Sequence, residues 1–168
     1  MTASTRRYRF SASHRLHTPE LSAADNARIY GKCNNPFGHG HDYVLSITVA
    51  GPADPETGLA VKRSELDRLA NDRIVAAFAN RNFNADVPQF AALVPTTENI
   101  ARIIACELER FWPDYISNAA RLIRVHVQET DRNGFEILVG AHAGVERGEQ
   151  EHEHVKFDSQ AEEQTRSS

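Results

Sequence analysis

The stretch HGHDYVLSITVA, residues 39–50, carries the strongest indication of the fold. It is rich in β-branched and aromatic residues, and Gly-Pro and Asp-Pro pairs follow it closely, so it predicts a β-strand that ends near residue 50. His39 and His41 flank Gly40 at the start of this strand. Because residues two apart in a strand point to the same face, both imidazoles are expected on one side of the sheet.

Upstream of this strand, the run YRFSASH at residues 8–14 predicts another strand. Its alternate positions share one face, and they are Tyr8, Phe10, Ala12 and His14. Residues 22–37, which lie between the two strands, are rich in Asn, Asp, Gly and Pro. This composition predicts a long loop, and loops of that length are usually functional.

Downstream, two segments have apolar residues at helical spacing. The first covers residues 64–78 with Ser64 as the predicted N-cap, and Asn80 to Pro88 ends it. The second opens at Thr96 and Thr97, with Glu98 in its first turn, and Pro113 is expected to stop it.

Residues 122–129 and 135–139 predict two final strands, joined by a hairpin turn at residues 130–134. The predicted order is therefore ββααββ, an α+β fold. Its folded domain covers residues 1–142. Residues 143–168 are polar and acidic, so we expect a disordered tail in which His152 and His154 form no site.

Composition limits the functional classes. The 168 residues are 40% hydrophobic, which suffices for one packed domain. The net charge of -4 and pI near 6.1 make nucleic acid a poor candidate partner and favour a small molecule. Neither a signal peptide nor a membrane-spanning stretch is recognisable, so a soluble, cytoplasmic protein is expected. The two cysteines, Cys33 and Cys106, are too few for a disulfide scaffold.

His14 is the predicted third partner of His39 and His41. Opposed residues on antiparallel strands lie roughly 4.5–5.5 Å apart at Cβ, so the three imidazoles can converge on one metal ion. Three histidines without a fourth protein ligand leave one coordination position open, as in catalytic zinc sites. The alternatives are that these are ordinary strand histidines, or that His17 replaces His14.

Several segments resemble one family. They are FSASHRL at residues 10–16, GKCNNPFGHGHDY at 31–43, PTTEN at 95–99 and ETD at 129–131. The chain resembles the 6-pyruvoyltetrahydropterin synthase family from about residue 8 to residue 140. The resemblance implies a T-fold, in which a four-stranded antiparallel sheet carries two helices on one face. It also implies a homohexamer of two stacked trimers with active sites between subunits.

The resemblance implies a reaction as well. The family eliminates triphosphate from 7,8-dihydroneopterin triphosphate and rearranges the side chain to give 6-pyruvoyltetrahydropterin. Zinc on the three histidines would bind the side-chain hydroxyls, Cys33 matches the proton-abstracting cysteine, and Glu129 matches the carboxylate that anchors the pterin. Thr96, Thr97 and Glu98 match the helix start that lines the pterin pocket. A buried structural thiol is the alternative for Cys33, and helix capping is the alternative for the threonines. Cys106, within the second helix, is expected to pack.

Spacing separates the branches of this family. The five residues NNPFG between Cys33 and His39 are typical of the pyruvoyl-forming branch, whereas the carboxy-forming branch has three. The cysteine itself argues against a third branch, which cleaves the side chain and has glutamate at that position.

The sequence departs from the family at the proton relay. Ala79 and Asn80 replace the Asp-His pair, and neither residue titrates near pH 7. Three hypotheses follow: a synthase with another proton donor, a pterin lyase with a carboxy or cleaved product, and a non-catalytic binding homologue. His126 and His142 are the remaining histidines that could replace the lost one, but His126 is expected on the face opposite Glu129.

Overall fold

The computed structural model describes residues 2–140. Its core is an antiparallel four-stranded sheet in the order β1-β2-β3-β4. The strands are β1 (Thr2–His14), β2 (His39–Gly51), β3 (Arg121–Thr130) and β4 (Asn133–Leu138). The α-helices are α1 (Ala23–Tyr30), α2 (Arg63–Ala70), α3 (Ala76–Phe78), α4 (Phe83–Asp86) and α5 (Thr97–Tyr115). Tight 3-10 turns cover Gly31–Asn34 and Pro88–Phe90, and a wider π turn covers Asn71–Val75. The predicted α+β fold and its strand order are confirmed.

The sheet separates a buried face from a polar face through strand alternation. On β2 the inward residues Tyr43, Leu45 and Ile47 are fully buried. The helices α2 and α5 cover this face, and their buried residues include Leu66, Leu69, Ile100, Ile104 and Leu108. The core occupies the centre of the inner face. The inward positions at the end of the sheet where β1 ends and β2 begins lie outside this centre and can carry polar side chains.

The first two strands pair along their whole length, from Thr2 opposite Gly51 to His14 opposite His39. β1 therefore begins six residues earlier than the pattern at residues 8–14 predicts. The sequence did not reveal this first part because it is exposed and has no apolar alternation. The same register fixes the position of every inward side chain of β1 relative to β2.

The predicted loop at residues 22–37 is wrong in part, because it contains α1. Ser22 caps this helix, and its hydroxyl accepts the N–H of Asp25 at 3.1 Å. The buried residue of α1 is Asn26, whose amide donates to the carbonyls of Thr18 and Leu21. A helix whose buried residue is polar has no apolar periodicity to reveal it.

Three smaller predictions about the helices are wrong. The N-cap of α2 is Lys62, and Ser64 lies in the first turn. Pro113 does not stop α5, because it lies in the last turn and the N–H of Ile116 still reaches the Trp112 carbonyl at 2.9 Å. Cys106 is exposed and does not pack in the core. It lies two residues after Ile104, and two residues rotate a helix by about 200°, to the side away from the buried stripe.

The tail at residues 143–168 and His142 lie outside the described residues, so the predictions made for them remain predictions. Within residues 2–140, no helix combines the length and the apolar composition that a membrane crossing needs.

Candidate active site

Three histidines meet where β1 ends and β2 begins. His14, the last residue of β1, lies opposite His39, and His41 lies opposite Ala12. One ring nitrogen from each histidine lies within 4.8 Å of the other two. The Nε2 atoms of His14 and His39 are 3.3 Å apart, close to the spacing of about 3.4 Å that two donors have on a tetrahedral zinc with bonds of about 2.0–2.1 Å. The structure brings together the three residues that the sequence predicts.

The protonation of the histidine cluster suits a cation. His14 Nδ1 donates to the carbonyl of Pro95 at 2.9 Å, so Nε2 of this ring carries the free lone pair. Among the described residues, His39 Nδ1 and His41 Nε2 are buried without a hydrogen-bond partner. Burial lowers the pKa of His14 and that of His41 below the ordinary value, which favours the neutral form that binds metals. The donor set therefore fits a metal ion such as zinc.

Glu129 lies beside the histidine cluster. It follows Val125 and Val127 along the inward side of β3, and its side chain is 8% exposed. Its Oε1 is 3.5 Å from His14 Nε2 and 3.8 Å from His41 Nε2. One carboxylate oxygen thus faces the imidazoles, so the predicted ring anchor and the predicted metal ligands form one site.

Tyr43 also belongs to this site, although the sequence did not single it out. It is fully buried, and its hydroxyl donates to Glu129 Oε1 at 3.2 Å. Burial, together with the negative charge of Glu129, raises the pKa of Tyr43, so the hydroxyl keeps its proton and remains a donor. Strand alternation after His39 and His41 was the available signal, because it places Tyr43 next on the same face.

The three predicted pocket residues at the start of α5 differ in how they contribute to the site. Thr97 is buried, and its hydroxyl accepts from Asn133 Nδ2 at 2.9 Å, while the same nitrogen donates to Glu129 Oε2 at 2.6 Å. Thr96 is the N-cap of α5, and its hydroxyl accepts the N–H of Asn99. This is the helix-capping role given above as the alternative for the threonines. Glu98 is exposed. Of the three predicted pocket residues, the structure links only Thr97 to Glu129.

Cys33 lies in the 3-10 turn Gly31–Asn34, which is tied to the chain just beyond β1. The carbonyl of Cys33 accepts the N–H of Leu16 at 2.8 Å, and the Asn34 amide donates to the Leu16 carbonyl at 2.7 Å. Burial and the charge of Glu129 raise the pKa of the Cys33 thiol. The field of Glu129 therefore reaches the predicted base, and a thiolate here needs a compensating positive charge.

Gly38 fixes how the loop enters β2. Its φ is +69°, and a Cβ on it would lie 2.8 Å from the His14 carbonyl oxygen. Any larger residue would therefore be strained and would push against a histidine of the cluster. The neighbouring Phe37 is 96% exposed.

The other histidines lie elsewhere. His17 Nδ1 lies 3.1 Å from the Asn34 amide nitrogen, so this ring is engaged with the loop and stays out of the cluster. His126 lies on the outer face with Thr5 and Ser46, as alternation predicts.

The segment that replaces the family relay runs along the outer edge of β1 and is hydrogen-bonded to it. Ala79 directly follows α3, and Asn80 has a φ of 59° and donates its N–H to the Ser11 carbonyl at 2.7 Å. An edge cavity of about 530 Å³ opens here, lined partly by Asn80, Asp42, Asp86 and His41. Of the two relay positions, Asn80 therefore faces the rim of the sheet, and Ala79 packs against the hydrophobic core.

Comparison with known families decides the assignment. Residues 3–138 match the family model of 6-pyruvoyl tetrahydropterin synthase. The chain belongs to this family. The match covers both ends of the sheet, the histidine cluster and Glu129.

Individual relatives agree with this assignment. The chain is 42% identical to human 6-pyruvoyl tetrahydrobiopterin synthase over 129 residues, which cover 77% of this chain and 86% of the relative. It is 29% identical to the 6-carboxy-5,6,7,8-tetrahydropterin synthase of Bacillus subtilis, over 71% of this chain and 73% of that protein. The solved 6-pyruvoyl tetrahydropterin synthase of Caenorhabditis elegans superposes with a TM-score of 0.74 at 34% identity, covering 82% of this chain and 94% of that one. These matches confirm the T-fold and the interpretation of the chain as an enzyme of this family.

Proposed function

We propose that this protein is a zinc-dependent 6-pyruvoyltetrahydropterin synthase, which converts 7,8-dihydroneopterin triphosphate to 6-pyruvoyltetrahydropterin and triphosphate. The observation that carries the proposal is the convergence of three histidine nitrogens with the Glu129 carboxylate at one end of the buried sheet face. A metal site next to a buried acceptor suits a substrate with side-chain hydroxyls at one end and a ring with N–H donors at the other.

His14, His39 and His41 would hold the metal. Bound there, zinc supplies a Lewis acid that polarises the substrate hydroxyls and favours the Cys33 thiolate. His14 is held in orientation by the Pro95 carbonyl, a support that metal-binding histidines usually have on their second nitrogen.

Glu129 would recognise the ring. A carboxylate can accept two parallel hydrogen bonds from the amino group and the adjacent N–H of a pterin. The side chain is almost fully buried, so these bonds form where water competes weakly. Thr97, which is linked to the same carboxylate through Asn133, would line this end of the pocket. The roles of Thr96 and Glu98 stay predictions.

Cys33 would move the proton. Its turn is anchored to Leu16, just beyond the metal-binding end of β1, and its thiol lies within the field of Glu129. The missing Asp-His pair at Ala79 and Asn80 would slow this transfer, since general acid-base assistance is worth about 10²–10⁴-fold. A synthase with weakened turnover is therefore the expected outcome.

Two other outcomes are the alternatives. A carboxy or side-chain-cleaved product would reflect altered chemistry at the same site, and the Bacillus subtilis relative keeps the carboxy alternative open. The spacing NNPFG favours the pyruvoyl product over it. Binding without turnover would follow if the relay at Ala79 and Asn80 is indispensable.

The test is to incubate the zinc-loaded protein with 7,8-dihydroneopterin triphosphate and to identify products by mass spectrometry. Release of triphosphate with a pyruvoyl product is the expected result. A carboxy or hydroxymethyl product would replace the proposal with the altered lyase. Tight binding with no product over hours would replace it with the non-catalytic homologue.

The assembly and setting follow from the same proposal. We expect a single zinc- and pterin-binding domain at residues 1–142, a homohexamer of two trimers and a cytoplasmic location. The sheet, α2 and α5 share one hydrophobic core, which supports the single domain. Light scattering would test the hexamer by giving the mass of six chains.

A further inference from the structure

The carboxylate of Glu129 is held at both of its oxygens. Oε1 accepts the Tyr43 hydroxyl at 3.2 Å, and Oε2 accepts Asn133 Nδ2 at 2.6 Å. A carboxylate has about four lone-pair positions, so each oxygen keeps capacity to accept a ligand N–H. The two donors therefore fix the orientation of the carboxylate without saturating it.

Glu129 lies at a β-bulge of the β3–β4 pair. Gln128 pairs with Gly134 and Thr130 pairs with Asn133, which leaves Glu129 as the extra residue between the two pairs. The extra residue of a bulge departs from the regular ladder, and bulges re-aim side chains next to active sites. The tight turn after Thr130 then returns the chain so that Asn133 lies beside Glu129.

The Asn133 amide links two elements. Its nitrogen donates one hydrogen to Glu129 and is also 2.9 Å from the hydroxyl of Thr97, the first residue of α5. The amide nitrogen must face Glu129, because an ionised carboxylate only accepts and would repel the amide oxygen. The Asn133 amide therefore joins the Glu129 carboxylate of the β3–β4 hairpin to the first residue of α5.

We infer that Asn133 is a positioning residue for ring recognition, which holds the Glu129 carboxylate in the orientation that accepts the pterin N–H edge. The inference rests on the proposed function, in which Glu129 anchors that ring. Glu129 Oε1 already lies 3.5 Å from His14 Nε2, so a carboxylate that lost the Asn133 bond would be free to turn further toward the imidazoles. Asn133 thereby separates ring binding from metal binding within one small site.

The test compares Asn133→Ala and Asn133→Asp with the control Arg132→Ala, which changes the adjacent turn residue. Calorimetry on zinc-loaded protein would measure the Kd of 7,8-dihydroneopterin, which has no triphosphate to eliminate. It would also measure the corresponding lumazine, in which oxygen replaces the 2-amino group. Metal content and Tm would be recorded for each variant.

Loss of one hydrogen bond to a charged group should raise the Kd of dihydroneopterin about tenfold in Asn133→Ala, and further in Asn133→Asp, where a second carboxylate faces Glu129. The lumazine Kd should change less than about threefold, because it lacks the amino group that the positioned carboxylate binds. Arg132→Ala should bind both ligands like the wild type, and all variants should keep about one zinc per chain.

Equal losses for the two ligands would overturn the inference, since they would indicate a general structural effect. An unchanged pterin Kd in both Asn133 variants would overturn it as well, while leaving the proposed function intact. A wild-type protein that binds neither ligand would overturn the inference and the proposed function together.

Discussion

Two regions at the same end of the sheet differ in how completely their chemistry is built. On the buried face, His14, His39 and Glu129 lie within hydrogen-bonding or near-contact distance, and hydrogen bonds hold His14 and Glu129. At the outer edge of β1, neither Ala79 nor Asn80 brings a titratable side chain beside the edge cavity. The proposed metal and ring sites are therefore constrained by hydrogen bonds, whereas positions 79 and 80 add no proton-transferring side chain to the edge. The contrast indicates that binding and turnover can be separated by mutation.

The sharpest test of the buried region is His39→Ala. Three protein ligands are needed to hold zinc with an open position, so we expect metal content to fall from about one per chain to below one tenth, with loss of turnover. Elemental analysis after dialysis checks this. His126→Ala, on the outer face of the same sheet, is the matched control and should keep its metal. Stoichiometric zinc in His39→Ala would contradict the site.

Glu129→Gln tests the ring-binding half of the same region. It removes the charge that strengthens the bonds to the ring and turns one acceptor into a donor, so affinity for 7,8-dihydroneopterin should fall about 100-fold. Calorimetry measures this, and zinc content should stay near one per chain. Glu136→Gln, an exposed glutamate of β4, is the control. Wild-type affinity in Glu129→Gln would place the ring elsewhere.

The edge region is tested by restoring the pair with Ala79→Asp and Asn80→His together. Histidine tolerates the left-handed φ of 59° at position 80, so the backbone should accept it. If the relay limits turnover, kcat should rise at least tenfold, with little change in pterin affinity. Asn82→His, two residues further along the same edge, is the control. An unchanged kcat in the double variant would show that another step is limiting.

The smallest effect is expected outside both regions, at Cys106. Because this thiol is exposed on α5, Cys106→Ser should change the free energy of unfolding by less than about 0.5 kcal/mol. Denaturant unfolding measures this. A loss of 2 kcal/mol or more would indicate that the residue packs, as its sequence neighbours first suggested.

The sequence predicted the histidine cluster because strand alternation and antiparallel pairing together determine it. The spacing of His39 and His41 places them on one face, and antiparallel pairing brings His14 opposite His39. Tyr43 follows from the same alternation. The prediction did not reach Asn133, because the bulge at Glu129 and the tight turn after it depend on the register of two strands rather than on a local pattern.

Helix α1 and Cys106 show two different limits. The helix was missed because its buried residue is the polar Asn26. The Asn26 amide donates hydrogen bonds to neighbouring carbonyls, so the helix has no apolar stripe. The prediction that Cys106 packs was wrong, although the sequence contained the information needed to correct it. Its position relative to Ile104 and Leu108 puts it on the outward side of a regular helix.

The bond from His14 to the Pro95 carbonyl has a thermodynamic consequence. The proposed metal ligands come from the ends of two strands, and this bond connects one of them to the segment that starts α5. In an unfolded chain His14 is not held beside His39 and His41, so zinc that binds as proposed would bind the native state selectively. By mass action, zinc at 100 times its Kd would add about 2.7 kcal/mol to the free energy of unfolding. A chelator should therefore lower the melting temperature of the whole domain, by an amount that grows with the zinc concentration from which the protein is taken.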